Sequence, residues 1–273
     1  MKNRIVLFGL VVSFLFGCKE KSKFTKSEEE RKVSQTSNTD RASKPDVFYQ
    51  YSIWFAFVNK VFDGDLKVSE LKTKGDIGLG SFDSLDGELV MLDGVPYRIR
   101  ENGEISVGQD EDEIVYADAT FFHEEGVFQI KGPVDYPSFQ NMLNTKMESE
   151  HYFYAYRVPV KLDYIKLGGV PKVEKPFTDG LDVLLPIRPV FEAENISGTL
   201  VGFYCPEYIG NINAFGHHFH FISDDRKWGG HVMEFKTKHD IEVPWDQKTS
   251  YAFDLPKNKT FENVKLDSEF QYN

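Results

Sequence analysis

Residues 216–235 read GHHFHFISDDRKWGGHVMEF. Strand side chains alternate between faces, so His218 and His220, set in a run with Phe219, Phe221 and Ile222, point the same way. A polar, glycine-rich break from Ser223 to Gly230 follows, and His231 then opens a second apolar run through Val232, Met233 and Phe235. If the two runs pair as a hairpin, the third imidazole reaches the face that carries the first two. Three neutral imidazoles with one position left open is the ligand pattern of a catalytic zinc, whereas a structural zinc is closed by four protein ligands. His-x-His alone is as readily a pair of exposed polar strand positions, and the third histidine is what gives the set its metal character. His217 is out of phase with the pair and belongs to the opposite face.

The sequence around this hairpin is mostly strand-like. Upstream, LVML, the turn at Asp93-Gly94, PYRIR, the break at Asn102-Gly103 and EISVG form a hairpin series in which glycine supplies the positive φ of tight turns. Residues 47–61 start as a strand and turn helical, Ser69 is the expected N-cap of a short helix reaching Lys74, and residues 135–148 read as a longer helix. From 151 onward, HYFYAYRVPVKLDYIKL, VLLPI, SGTLVGFY and SYAFDL all read as strands. No βαβ rhythm or internal repeat is present, and the Gly-x-Gly at 78–80 lacks the third glycine and the helix of a dinucleotide site. The expected class is α+β: mostly β, two antiparallel or mixed sheets with a few short helices, and the zinc site on a strand hairpin.

The N-terminus has a different texture. Lys2 and Arg4 precede an apolar run, Ile5–Gly17, which is short of the roughly 20 residues a bilayer-spanning helix needs. Residues 1–17 therefore read as an export signal, and the LFGC ending resembles a bacterial lipoprotein signal in which Cys18 takes the lipid. Residues 18–45 are charged and polar and bury too little apolar surface to repay their ordering, so they are expected to be a disordered tether spanning roughly 30 Å. Residues 46–273 remain as the domain, expected to divide into an N-terminal sheet half, about 46–148, and a zinc-bearing half, about 149–273.

The formal charge is −11, and two units more negative without Lys2 and Arg4. Such acidity argues against nucleic acid and anionic lipid as partners, leaving lipid on Cys18 as the expected membrane contact of an exported, anchored protein. With Cys18 lipidated, Cys205 has no cysteine to pair with, and its place in TLVGFYCPEY suits a small buried thiol.

The hairpin block resembles the GYHLHFLSDDRxxGGHVLDF block of alpha-acetolactate decarboxylases. GDIGLGSFDSLDGELVMLDG (75–94), HYFYAYRV (151–158), VPKVEKPF (170–177) and GTLVGFYCPEY (198–208) resemble further blocks of that family, in its order. Together they span nearly everything from Val47 to Leu255. The resemblance implies a two-sheet fold, often dimeric, in which a zinc-dependent lyase removes the carboxylate of 2-acetolactate to give acetoin. It matches His218, His220 and His231 to the zinc ligands and Glu88 to an active-site glutamate. Spacing alone would make Glu88 a solvated strand residue before a turn.

Two departures stand out. The arginine that the family carries before VPxxEKP, where it contacts substrate, is here Gly168; loss of such a donor commonly costs roughly 10² to 10³ in rate. Lys166 shares its side-chain phase on a strand and is the expected partial substitute, although a lysine lacks the guanidinium fork. Arg157 is not a stand-in, because the family has its own arginine there. The family also brings a C-terminal glutamate to the site; the tail here, LDSEFQYN (266–273), stops several residues early and is expected to lack it, with Glu269 able to supply the carboxylate only along a different path. An alternative to the decarboxylase is accordingly a divergent zinc-binding lipoprotein of this family, with altered substrate or no catalysis.

Overall fold

The computed structural model describes residues 44–266. The expected signal peptide, nearly all of the tether, Cys18 and Glu269 lie outside the described residues. The strands, in chain order, are β1 Phe48–Tyr51, β2 Leu66–Lys67, β3 Ile77–Phe82, β4 Glu88–Leu92, β5 Val95–Ile99, β6 Ile105–Val107 and β7 Glu113–Thr120. They continue with β8 Gly126–Ile130, β9 Val134–Asp135, β10 Phe153–Gly168, β11 Val190–Cys205, β12 Gly216–Ser223, β13 Gly229–Thr237, β14 Ile241–Lys248 and β15 Tyr251–Asp254. One sheet runs in the order β15-β1-β7-β3-β4-β5-β6, with β2 on β7, and the other β8-β14-β10-β11-β12-β13-β9. β1 and β15 are parallel and the remaining pairs of the first sheet antiparallel, so that sheet is mixed. The sheets do not divide the chain at 148: β8 and β9 join the second sheet, and β15 returns to the first.

Alternation along the strands builds the layers. Phe48, Leu79, Val90 and Ile99 of the first sheet meet Ala155, Val201, Phe203 and Ile222 of the second in a core between the sheets. The alternate residues Phe219 and Phe221 face the other way, toward the helix Tyr136–Lys146 and its Tyr136, Phe139 and Leu143. That helix starts where the sequence marks it: Asp135 Oδ1 accepts the Ser138 N–H at 3.0 Å, and Pro137 sits in the first turn. Gly202 lies opposite Phe219, where a Cβ would come 2.1 Å from the ring. Glycine there is what lets the aromatic lie flat on its neighbour strand.

β10 organises the second sheet. One edge pairs with β11 from Tyr154 to Gly168; the other pairs with β14 over Phe153–Tyr156 and with β13 over Tyr164–Gly168. Because β11, β12 and β13 also pair in succession, β10 to β13 close on themselves. This closure sets Gly168 directly opposite His231.

Two local expectations fail. VLLPI is not a strand: Leu181–Leu184 is a short helix and Leu185–Ile187 a 3₁₀ turn. A short apolar run has no period that separates a strand from a buried helical turn, and Pro186 suits the start of the turn. The helix near Ser69 is Val68–Leu71, with Lys67 at its cap and no side-chain cap bond.

A buried polar chain lies on one face of β7. Tyr116 Oη donates to Asn213 Oδ1 at 2.6 Å, and Asn213 Nδ2 donates to Asp118 Oδ1 at 2.8 Å. Burial pushes the Asp118 carboxyl up to about 8, with the Asn213 amide acting in the opposite direction. An unfolded aspartate ionises near about 3.9, so between there and about 8 the folded chain holds a proton that the unfolded chain has released. Stability from this group is therefore full below about pH 4, falls as pH rises toward about 8, and is level above that. Asp118→Asn keeps an acceptor for Asn213 and removes the titration. Its melting temperature relative to the parent is expected to rise by at least about 3 °C between pH 5 and pH 8; a pH-independent difference would refute the assignment.

Candidate metal centre and its cavity

β12 and β13 form the expected hairpin, with His220 opposite His231. The break between them is held by Ser223, whose Oγ donates to Asp225 Oδ1 at 2.7 Å and accepts the Trp228 N–H at 3.0 Å. Asp225 thus shapes the turn. His217, on the other face, bonds Asn144 at 2.7 Å and stacks among Tyr156, Tyr204 and Phe219.

His218, His220 and His231 converge between the sheets. Their ring centroids are 4.9 to 5.4 Å apart, and one nitrogen from each lies within 4.8 Å of the others. His220 Nδ1 donates to the Leu89 carbonyl at 2.8 Å, which fixes the tautomer and leaves Nε2 with its lone pair toward the cavity. His218 Nε2 and His231 Nδ1 are 3.0 Å apart. Burial pushes His218 down to about 4 and holds His220 and His231 well below the usual imidazole range, with the neighbouring imidazoles adding to the shift. All three rings are therefore neutral at physiological pH, the form a metal requires. A borderline divalent ion fits this set of converging, buried, neutral nitrogens.

Glu88, the first residue of β4, is buried with Oε2 3.7 Å from His220 Nε2. Desolvation pushes its carboxyl up to about 8, against the pull of Arg188. Trp54, Phe57, Tyr116, Val170, Leu181 and Leu185 belong to one hydrophobic cluster that supplies the apolar lining. The helical turn that replaced the expected VLLPI strand thus supplies part of the enclosure.

Arg188 was not apparent from the sequence. It lines the cavity with Glu88 and the histidines, although it follows the turn in a segment that resembles no quoted block. Lys166, the expected substitute for the family arginine, is not in the lining. It keeps the phase of Gly168 but stands one strand repeat away, in register with Glu192 and Glu234 on the two adjacent strands. Cys205 is a buried thiol outside the lining, and burial raises its pKa.

A second acid–imidazole group, Asp46, His123 and Asp246, already holds a cation of the chain itself. The fully buried Lys248 ammonium lies 2.7 Å from Asp246 Oδ2 and also bonds Asp46.

Comparison with known proteins agrees with this geometry. The family model described as alpha-acetolactate decarboxylase matches residues 48–268. The alpha-acetolactate decarboxylase of Methanosarcina mazei is 37% identical over 226 residues, 83% of this chain and 78% of the relative. That of Bacillus subtilis is 33% identical over 220 residues, 81% of this chain and 86% of the relative. The crystal structure of the Bacillus subtilis enzyme superposes with a TM-score of 0.78, at 33% identity, covering 81% of this chain and 94% of that one.

The convergence of the three rings is testable without activity. His220→Ala is expected to lower bound zinc from about one ion per chain to less than about a tenth after dialysis, read by atomic absorption. Unchanged stoichiometry would remove this cluster as the metal centre.

Proposed function

Because the chain belongs to the alpha-acetolactate decarboxylase family, we propose that it converts 2-acetolactate to acetoin and CO2 with a zinc ion held by His218, His220 and His231. The observation that carries this reading is the set of three neutral imidazoles that line, with a single buried carboxyl, Glu88, one largely apolar cavity. When bound, zinc would act as a Lewis acid toward the hydroxyl and ketone oxygens of the substrate and draw electron density from the carbon between them.

In the reaction, the bond from that carbon to the carboxylate breaks and CO2 departs. The electron pair delocalises into the adjacent ketone, and one proton must be returned to the carbon. Glu88 is the one carboxyl among the described lining residues and is the group we assign to deliver that proton. Trp54, Phe57, Val170 and Leu185 give the cavity a largely apolar lining, which limits competition from water and favours proton delivery by Glu88. His220, fixed by the Leu89 carbonyl, holds its nitrogen toward the cavity throughout.

Acetoin formation from racemic 2-acetolactate should appear with zinc and fall to background after chelation. Zinc bound without acetoin would instead favour a changed substrate. Glu88→Gln is expected to lower kcat by about 10² or more while zinc content is retained. Retained turnover would remove Glu88 from proton delivery.

We also propose that the chain is exported and anchored through lipid on Cys18, a reading supported by the charged start, the short apolar run and LFGC. Cys18→Ser is expected to abolish incorporation of labelled palmitate in cells; labelling that persists would overturn the anchor.

A further inference from the structure

Gly168 ends β10 between two partners: Val190 of β11 on one side and His231 of β13 on the other. Arg188 precedes Val190 by two residues, and its side chain runs beside Gly168 into the cavity that contains Glu88 and the histidines. A Cβ on Gly168 would lie 3.4 Å from Arg188 Cδ and 3.0 Å from Met233 Sδ. A side chain longer than alanine at 168 would therefore compete with Arg188 for the same volume. The backbone does not call for glycine there, because the φ of Gly168 lies outside the left-handed region. Space, not conformation, accounts for the residue.

Arg188 is also the one lysine or arginine among the described residues of the lining, and among the described residues no ion pair engages its guanidinium. A half-buried arginine that is in no ion pair among the described residues, at the wall of a cavity, is suited to a planar anion from solution.

We propose that Arg188 is the anion-binding residue of this cavity and that Gly168 is the vacancy that admits it. Naming the anion as the carboxylate of a 2-hydroxy-3-oxo acid rests on the decarboxylase reading; the coupling of the two positions does not. The guanidinium holds the carboxylate at the cavity wall, so the bond to be broken is oriented before chemistry. Arg188 acts on binding and orientation, and Glu88 on the proton.

The test uses zinc-loaded protein and two near-isosteric, unreactive probes. One is the anion 2-hydroxy-2-methylpropanoate. The other is neutral 3-hydroxy-3-methylbutan-2-one, which is acetolactate with a methyl in place of the carboxylate. Calorimetry is expected to show Arg188→Gln weakening the acid by about tenfold or more while the ketone stays within about twofold, with Arg188→Lys intermediate. Gly168→Arg alone should weaken the acid, because two side chains then compete for one space. Gly168→Arg combined with Arg188→Gln should bring the acid back to within about threefold of the parent, a coupling that two unrelated losses would not produce.

Equal binding of the acid by the parent and Arg188→Gln would overturn the proposal, as would a double variant no better than the product of the single losses. Zinc content and circular dichroism identify any variant that fails to fold, and Arg188→Lys then carries the comparison. If the parent turns over no acetolactate yet binds the acid through Arg188, the decarboxylase reading falls and the anion site stands. If the parent makes acetoin and Arg188→Gln makes it equally well, the anion site falls and the decarboxylase stands.

Discussion

The cross-strand pairing of His220 with His231 is the constraint on which the site depends. In a two-residue period, a slip by one position would turn every side chain of β12 to the other face and leave the imidazoles outside. What prevents the slip is apolar. Phe219 and Phe221 are fully buried against the helix and the opposite strands, while Ile222 fills the core between the sheets. The same alternation that packs these residues sends His218 and His220 inward toward β4, where the Leu89 carbonyl awaits His220. Metal geometry is thus inherited from core packing.

The inward position has an electrostatic consequence. Desolvation disfavours charge, so imidazoles buried between sheets remain neutral and a carboxyl beside them is driven toward its protonated form. Arg188 opposes that tendency at Glu88 and reinforces it at His231. One cation at the cavity wall thereby acts on both a candidate ligand and the candidate proton donor. The ion cluster around Lys248 solves a similar problem differently, by placing the compensating charge on the chain itself.

Much of this was legible in the sequence because it rests on local periodicity. The phase of His218 and His220, the opposite orientation of His217, the helix beginning at Asp135 and the strands around Asp93-Gly94 all follow from spacing and turn chemistry. Glu88 needed the family resemblance, since a glutamate before an apolar strand has no local mark of burial. VLLPI has the composition of a strand but folds as a helical turn, because its environment over the cavity is set by contacts distant in sequence. The parallel return of β15 to β1 and the closure of β10 on β13 were equally hidden, for the same reason.

Arg188 shows where position-by-position reading ends. The family resemblance places a guanidinium at residue 168 and leads along the same strand to Lys166. A substrate responds to charge in space. The neighbour of Gly168 across the sheet is Val190, and the chain leading into Val190 carries an arginine past the glycine toward His231. Moving a cation along β10 by two residues would displace it by about 6.6 Å, out of the cavity. Supplying it from the segment that leads into the adjacent strand keeps it beside the imidazoles. Pairing between strands, which brings distant residues to one point, allows a residue to be lost from a sequence position while its charge remains in the site.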